Sequence, residues 1–113
     1  MRTSIIILIF LLSTAIQAQY TKVDSLFSSL ETAKNEEEKF SVLEGLAGFY
    51  FNKNRKMSAE FTDQALEIAE KNDNTLDVAF LKGRKAYFLN KEERFGEAFK
   101  FYKEGLKLAN YPK

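Results

Sequence analysis

The residue types that carry most enzyme chemistry are missing from this sequence. It contains 0 His and 0 Cys, which removes Cys–His and Ser–His–Asp nucleophile systems and most zinc sites. Carboxylates are abundant but interleaved with lysine, as in residues 31–39 and 67–71, a mixture typical of ion pairs on helix surfaces. We therefore expect no enzyme activity, no cofactor and no metal site, with a hydrolase built on carboxylates alone as the alternative.

The composition favours a single helical domain. The chain has 113 residues, of which 45% are hydrophobic and 29% charged, and these are ordinary values for one folded domain. With 1 Pro and 5 Gly, all of them single, it suits long helices with short connections better than a β-sandwich, and it offers no glycine-rich phosphate loop.

The N-terminus has the layout of a secretory signal peptide. Arg2 gives a short basic start, residues 5–12 form an unbroken apolar run, and a more polar stretch ends in the small residue Ala18. We predict cleavage after Ala18, which leaves Gln19 as the new N-terminus and makes the protein exported, periplasmic or secreted. A buried N-terminal helix and a membrane anchor are the alternatives, although the apolar run is far shorter than the about 20 residues that a span needs.

Export would leave a neutral domain. Removing residues 1–18 takes away only one of the 17 basic residues and none of the 16 acidic ones. No overall positive field then attracts the domain to nucleic acid or to an anionic membrane, so we expect neither partner after signal cleavage.

Apolar residues recur at helical spacing in five segments, which predicts an all-α fold. The segments cover about residues 22–34, 37–52, 57–71, 74–90 and 95–109. The last two carry small and large apolar residues that we expect to be buried on shared faces. These are Leu76, Ala79, Phe80, Gly83, Ala86 and Tyr87 in one segment, and Phe95, Ala98, Tyr102, Gly105, Leu106 and Ala109 in the other.

The spacing of these residues resembles the tetratricopeptide repeat, a helix–turn–helix unit of about 34 residues. Leu46-Ala47 followed by Tyr50 is similar to the Leu-Gly-x-x-Tyr part of that signature, and Phe95, Ala98 and Tyr102 are similar to its second helix. Other positions depart from the pattern: Lys85 stands where Leu is usual, Leu89 stands where Tyr is usual, and the repeat period is longer.

The resemblance implies antiparallel helix–turn–helix repeats forming a tetratricopeptide-like α-solenoid of about five helices after the signal peptide. The domain would cover residues 19–113, with an extra helix over 22–34, a first repeat over 36–72 and a second over 74–110. The layout is also similar to the exported N-terminal tetratricopeptide regions of Bacteroidota-type sensor and regulator proteins.

By this resemblance, the second and fourth helices line a concave surface that binds a protein or peptide. The groove residues it implies are Glu44, Phe51, Asn52, Phe80, Arg84, Tyr87 and Lys91. The resulting hypothesis is a non-enzymatic binding scaffold in the cell envelope. The alternative is an N-terminal sensory or structural stub of a larger receptor or histidine kinase, which stacks on further repeats or forms a homo-oligomer.

Overall fold

The computed structural model describes the backbone of residues 2–110 and the side chains of residues 4–10 and 21–110, and this part of the chain is helical without strands. Its elements are α1 (Arg2–Thr32), α2 (Glu36–Tyr50), α3 (Arg55–Lys71), α4 (Thr75–Lys91) and α5 (Phe95–Ala109). The all-α prediction is confirmed. Residues 111–113, the end of the predicted domain, lie outside the described part.

Asparagines begin three of the helices. The side-chain oxygen of each accepts a hydrogen bond from a backbone N–H in the first turn, which satisfies one of the donors that a helix start leaves free. The distances are 2.8 Å from Glu38 to Asn35, 3.1 Å from Met57 to Asn54 and 3.3 Å from Asp77 to Asn74. Helix α5 instead follows Arg94, whose side chain makes no capping bond.

Helices α3 and α4 end in the same way. Asp73 and Glu93 have positive φ angles of 54° and 61°, the left-handed conformation that often closes a helix. The next residue then bonds back across the turn: Asn74 N–H donates to Ala69 O at 3.0 Å, and Arg94 N–H donates to Leu89 O at 2.9 Å. These tight turns place consecutive helices side by side in opposite directions.

Helix α1 is longer than predicted. The helix expected over 22–34 is the last part of α1, which begins at Arg2 and ends at Thr32. No Gly or Pro interrupts this stretch, so no residue in it breaks the helix. The predicted cleavage point after Ala18 falls inside α1, where the side chains lie outside the described part. Among the residues described, no helix is long and apolar enough to cross a membrane.

The main core lies between α1, α2, α3 and α4. Its buried side chains include Val23, Leu43, Leu46, Ala47, Phe61, Ala65, Leu66, Ala69, Val78 and Leu81. The Phe27 ring of α1 joins this core through Phe61, with centroids 5.9 Å apart, and through Tyr50 at 6.5 Å. Backbone contacts within the described chain join each helix to its neighbours in sequence.

The expected buried face of α4 is partly wrong. The structure buries Val78, Leu81, Ala86, Phe88 and Leu89, whereas Leu76 and Phe80 are exposed. Apolar residues occur nearly all round this helix, so spacing alone does not select the side that packs against α3.

The expected buried face of α5 is mostly exposed. Ala98 and Gly105 pack against α4 and are buried, while Phe95, Tyr102, Leu106 and Ala109 are exposed. A Cβ atom added to Gly105 would lie 3.1 Å from the Ala79 carbonyl oxygen, so the two backbones are in close contact there. The exposed residues lie on the side of α5 that has no packing partner among the described residues.

Candidate protein-interaction groove

A polar network connects α2, α3 and α4 through Arg84, one of the predicted groove residues. The Arg84 guanidinium of α4 pairs with the Glu44 carboxylate of α2, and its Nε donates to Thr62 Oγ1 of α3 at 2.9 Å. The Arg84 side chain is only 13% exposed. These partners satisfy its charge, so Arg84 and Glu44 fix the helices around the groove rather than offering free charges to a ligand.

The network continues inward through two buried hydroxyl groups. Thr62 Oγ1 donates to Ser58 O at 2.8 Å, and Ser58 Oγ donates to Ala47 O at 2.6 Å. The Phe51 N–H, which would bond the Ala47 carbonyl in a continuing helix, donates to Gly48 O instead. Ser58 therefore supplies a donor to the last turn of α2 and holds α3 against it. The roles of Ser58 and Thr62 were not predicted, because short polar residues at core positions give no hydrophobic signal in the sequence.

Three of the predicted residues form an aromatic surface. The Phe51 and Tyr87 rings stack with centroids 5.3 Å apart, and the Arg84 guanidinium lies 5.5 Å from the centroid of the Phe80 ring. Together with Tyr102 they bound a groove of about 430 Å³, here called the aromatic groove, whose remaining lining residues are Ala79 and Gly83. Phe80 is 63% exposed, so its ring is available for contact.

The other two predicted residues lie at the margin. The Lys91 ammonium is 5.4 Å from the centroid of the Tyr87 ring, which places a cation at the end of the aromatic groove. Asn52 is exposed in the connection after α2 and is not among the lining residues. The structure thus brings Phe51, Phe80, Arg84 and Tyr87 together, with Lys91 beside them and Glu44 behind Arg84.

A second apolar groove of about 400 Å³ continues the first. The two share Ala79, Phe80, Gly83 and Tyr102. The second one runs on between α4 and α5 and is lined in addition by Leu76, Gly105, Leu106 and Ala109. From their spacing in the sequence, these residues were expected to pack between helices. The available signal was that α5 carries more apolar residues around its circumference than one neighbouring helix can cover.

A more polar cavity of about 490 Å³ lies between α2, α3 and the start of α4. Glu36, Glu37, Glu44 and Asp77 are among its lining residues. Lys71 lies 2.7 Å from Glu36 and lowers the pKa of that carboxyl by hydrogen bonding, while Glu44 pairs with Arg84. Two of the four carboxylates are thus neutralised by ion pairs of the fold. The part of the chain that the structure describes contains no group of three or more His, Cys, Asp or Glu residues placed to hold a metal ion.

No protein-family model, curated protein or solved structure matches this chain. The interpretation of the groove therefore depends on its geometry.

Proposed function

We propose that this chain is a non-enzymatic scaffold that binds a protein or peptide in the cell envelope, built from helix pairs arranged like tetratricopeptide repeats. The repeat arrangement is supported by the backbone contacts between successive helices. The predicted 36–72 and 74–110 units contain the pairs α2–α3 and α4–α5.

The observation that supports binding most directly is the aromatic groove. Exposed aromatic rings on a rigid surface supply much of the energy in protein interfaces, because each covers a large area at little entropic cost. The ion pair between Arg84 and Glu44 and the stacking of Phe51 on Tyr87 hold this surface in place before a partner arrives. Such preorganisation lowers the cost of binding.

Site-directed photo-crosslinking tests this proposal. A photoreactive residue in place of Phe80 should crosslink a partner in the producing cell, and Phe51→Ala should reduce the yield. The matched control places the same residue at Gln64, which is exposed on α3 and does not line the groove. Equal crosslinking from both positions, or from neither, would contradict binding at the aromatic groove.

Export is the second part of the proposal and is supported by the sequence of residues 1–18. Intact-mass measurement on protein recovered from outside the cytoplasm should give a chain that begins at Gln19. A membrane-bound product that retains residues 1–18 would favour an uncleaved anchor instead.

The alternative function is a sensory or structural stub that stacks on further repeats or on a second copy. It is favoured by the exposed apolar side of α4 and α5. Sedimentation during dilution separates the two functions, because a self-sufficient scaffold stays monomeric and folded.

A further inference from the structure

The α4–α5 pair has an exposed apolar surface, here called the open face. It consists of Leu76, Phe80, Phe95, Phe99, Tyr102 and Leu106, which are 44–64% exposed. The aromatic groove and the second apolar groove join along it, so the depression follows α4 from Leu76 to Tyr87. At 1.5 Å per residue this is about 16 Å, or three turns of a helix.

The depression has a floor of small residues and walls of large ones. Ala79, Gly83 and Gly105 form the floor, while Phe80 and Tyr102 stand beside it. A ridge of side chains on another helix fills such a channel, as in the packing of helices by ridges into grooves. A flat lipid surface would leave the floor unfilled, and a mature domain of no net charge has no overall field to attract an anionic one.

The edges of the open face are cationic. Lys91 Nζ lies 5.4 Å from the Tyr87 ring centroid at the end of the aromatic groove, and Lys103 Nζ lies 5.5 Å from the Phe99 ring centroid on α5. Within the described residues neither lysine forms an ion pair. Phe99, Lys103 and Lys107 follow one another in steps of four along α5, so the basic row continues the apolar one.

Carboxylates are absent from both joined grooves, since none of their lining residues is acidic. Most of the acidic residues nearby in sequence are engaged or face elsewhere. Glu104 pairs with Lys82, Glu92 and Glu97 pair with Arg94, and Asp77 lines the polar cavity on the α2 side. Glu93, in the turn after Lys91, forms no ion pair among the described residues and lines neither groove. A second copy that offered the same face would bring lysines to lysines, which disfavours self-association through it.

We propose that the open face binds an amphipathic helix of a separate partner protein, with the apolar side of that helix in the joined grooves and carboxylates on its flanks beside Lys91 and Lys103. The inference rests on the proposed function and adds the chemistry of the partner. Because each exposed ion pair contributes little to the binding free energy, most of the affinity comes from the apolar channel. The charges determine which helix is preferred.

The test is a selection from displayed helical peptides about 15 residues long, with leucines fixed on one side and the flanking positions free to be acidic or basic. The target is the chain as isolated from the cell that makes it. Selected peptides should carry Asp and Glu at the flanks, and a representative one should bind about threefold to tenfold more tightly than its Lys counterpart at low salt, a difference that 0.5 M NaCl should largely remove.

Two double variants identify the lysines involved. Lys91→Glu with Lys103→Glu should reverse the selection toward Lys and Arg. Lys39→Glu with Lys56→Glu makes the same change in net charge at exposed sites away from the open face. With this control variant the selected peptides should still carry Asp and Glu at their flanks. Thermal melts confirm that both variants fold. Leu106→Asp, at an exposed position of the channel, should abolish selection.

The outcomes separate the two proposals. If peptides are selected without charge preference and Leu106→Asp abolishes their selection, the proposal of an acidic partner is wrong. The proposal of a binding scaffold then still stands. If no peptide is selected, binding at this face fails as well. The acidic partner is also overturned if the chain binds phosphatidylglycerol vesicles through Lys103 in place of peptides, or forms a dimer that Leu106→Asp dissociates.

Discussion

Phe51, which follows the last residue of α2, stacks on Tyr87 of α4 with an angle of 20° between the ring planes. The contact joins the two helix pairs at their surface, where Tyr87 keeps 36% of its exposure. The neighbouring Phe88 ring lies 5.7 Å from the Phe51 ring and 5.8 Å from the Tyr87 ring, but it is buried, 3% exposed. Consecutive aromatics of α4 therefore serve different ends: one forms the groove wall and the other the core.

Tyr87→Ala should weaken the binding of a partner by more than about 1 kcal/mol while lowering the free energy of unfolding only slightly. Phe88→Ala is the matched control, because it removes a buried ring and should cost about 3–5 kcal/mol of unfolding free energy. Chemical denaturation and crosslinking yield at Phe80 measure the two effects. If Tyr87→Ala unfolds the protein, or if the crosslinking yield stays unchanged, Tyr87 is not part of the proposed site.

Ala98→Leu should destabilise the α4–α5 pair. Ala98 is 3% exposed on the side of α5 that faces α4, so the larger side chain must displace packed atoms. Overpacking of this kind typically costs about 1–3 kcal/mol. The melting midpoint should fall, whereas Phe99→Leu, at the next and exposed position, should change it little. An unchanged midpoint for Ala98→Leu would contradict close packing at this position.

Two glycines should respond oppositely to alanine. Gly83 has no atom within 4 Å of an added Cβ, so Gly83→Ala should stabilise α4 by up to about 1 kcal/mol through helix propensity. Gly105→Ala would place its methyl group 3.1 Å from the Ala79 carbonyl oxygen, a backbone atom that does not move without shifting α4. Urea denaturation should give a lower free energy of unfolding for Gly105→Ala than for Gly83→Ala. The reverse order would contradict the close approach of the two helices.

The ion pair between Lys82 and Glu104 predicts a pH-dependent effect. Lys82 Nζ lies 2.7 Å from Glu104 Oε2, and this hydrogen bond lowers the pKa of Glu104 below the ordinary 4.5, although burial opposes it. Because the folded-state pKa is the lower one, the stabilisation is present above about pH 4.5 and lost as the pH falls through the folded pKa.

Glu104→Gln should therefore lower stability at pH 7, by at most about 1 kcal/mol since the pair is partly exposed. The difference from the unmodified chain should vanish at a pH low enough to protonate Glu104 in the folded state. Glu60→Gln, at an exposed position of α3, serves as the control and should have little effect at either pH. A difference for Glu104→Gln that persists unchanged at low pH would exclude the ion pair as its cause.

Sequence alone predicted the helices well where polar turns interrupt the apolar pattern. The expected segment 95–109 coincides with α5, and the expected segment 74–90 begins at the residue that caps α4. The unbroken course of α1 from Arg2 was not predicted. Because residues 1–18 resemble a signal peptide, they were treated as separate from the helix expected over 22–34, although no helix breaker lies between the two.

The groove was harder to predict because it depends on which side of each helix faces the core and which side faces solvent. Phe80 was expected in the core as well as in the groove, and its exposed ring shows that it is not part of the core. The pairing of Arg84 with Glu44 joins helices that are distant in sequence, and no local pattern indicates it. Tyr102 was placed in a packed face, since spacing does not show that, among the described helices, α5 has backbone contacts with α4 alone.

The succession of contacts, each helix against the next, has a consequence for how the molecule opens. A helix that leaves the end of such a row disrupts one neighbour, whereas α3 in the middle would disrupt two. Amide hydrogen exchange should therefore reveal opening units that are contiguous in sequence and begin at either end of the row. The mainly local contacts also favour rapid folding, because little loop-closure entropy is lost before packing begins.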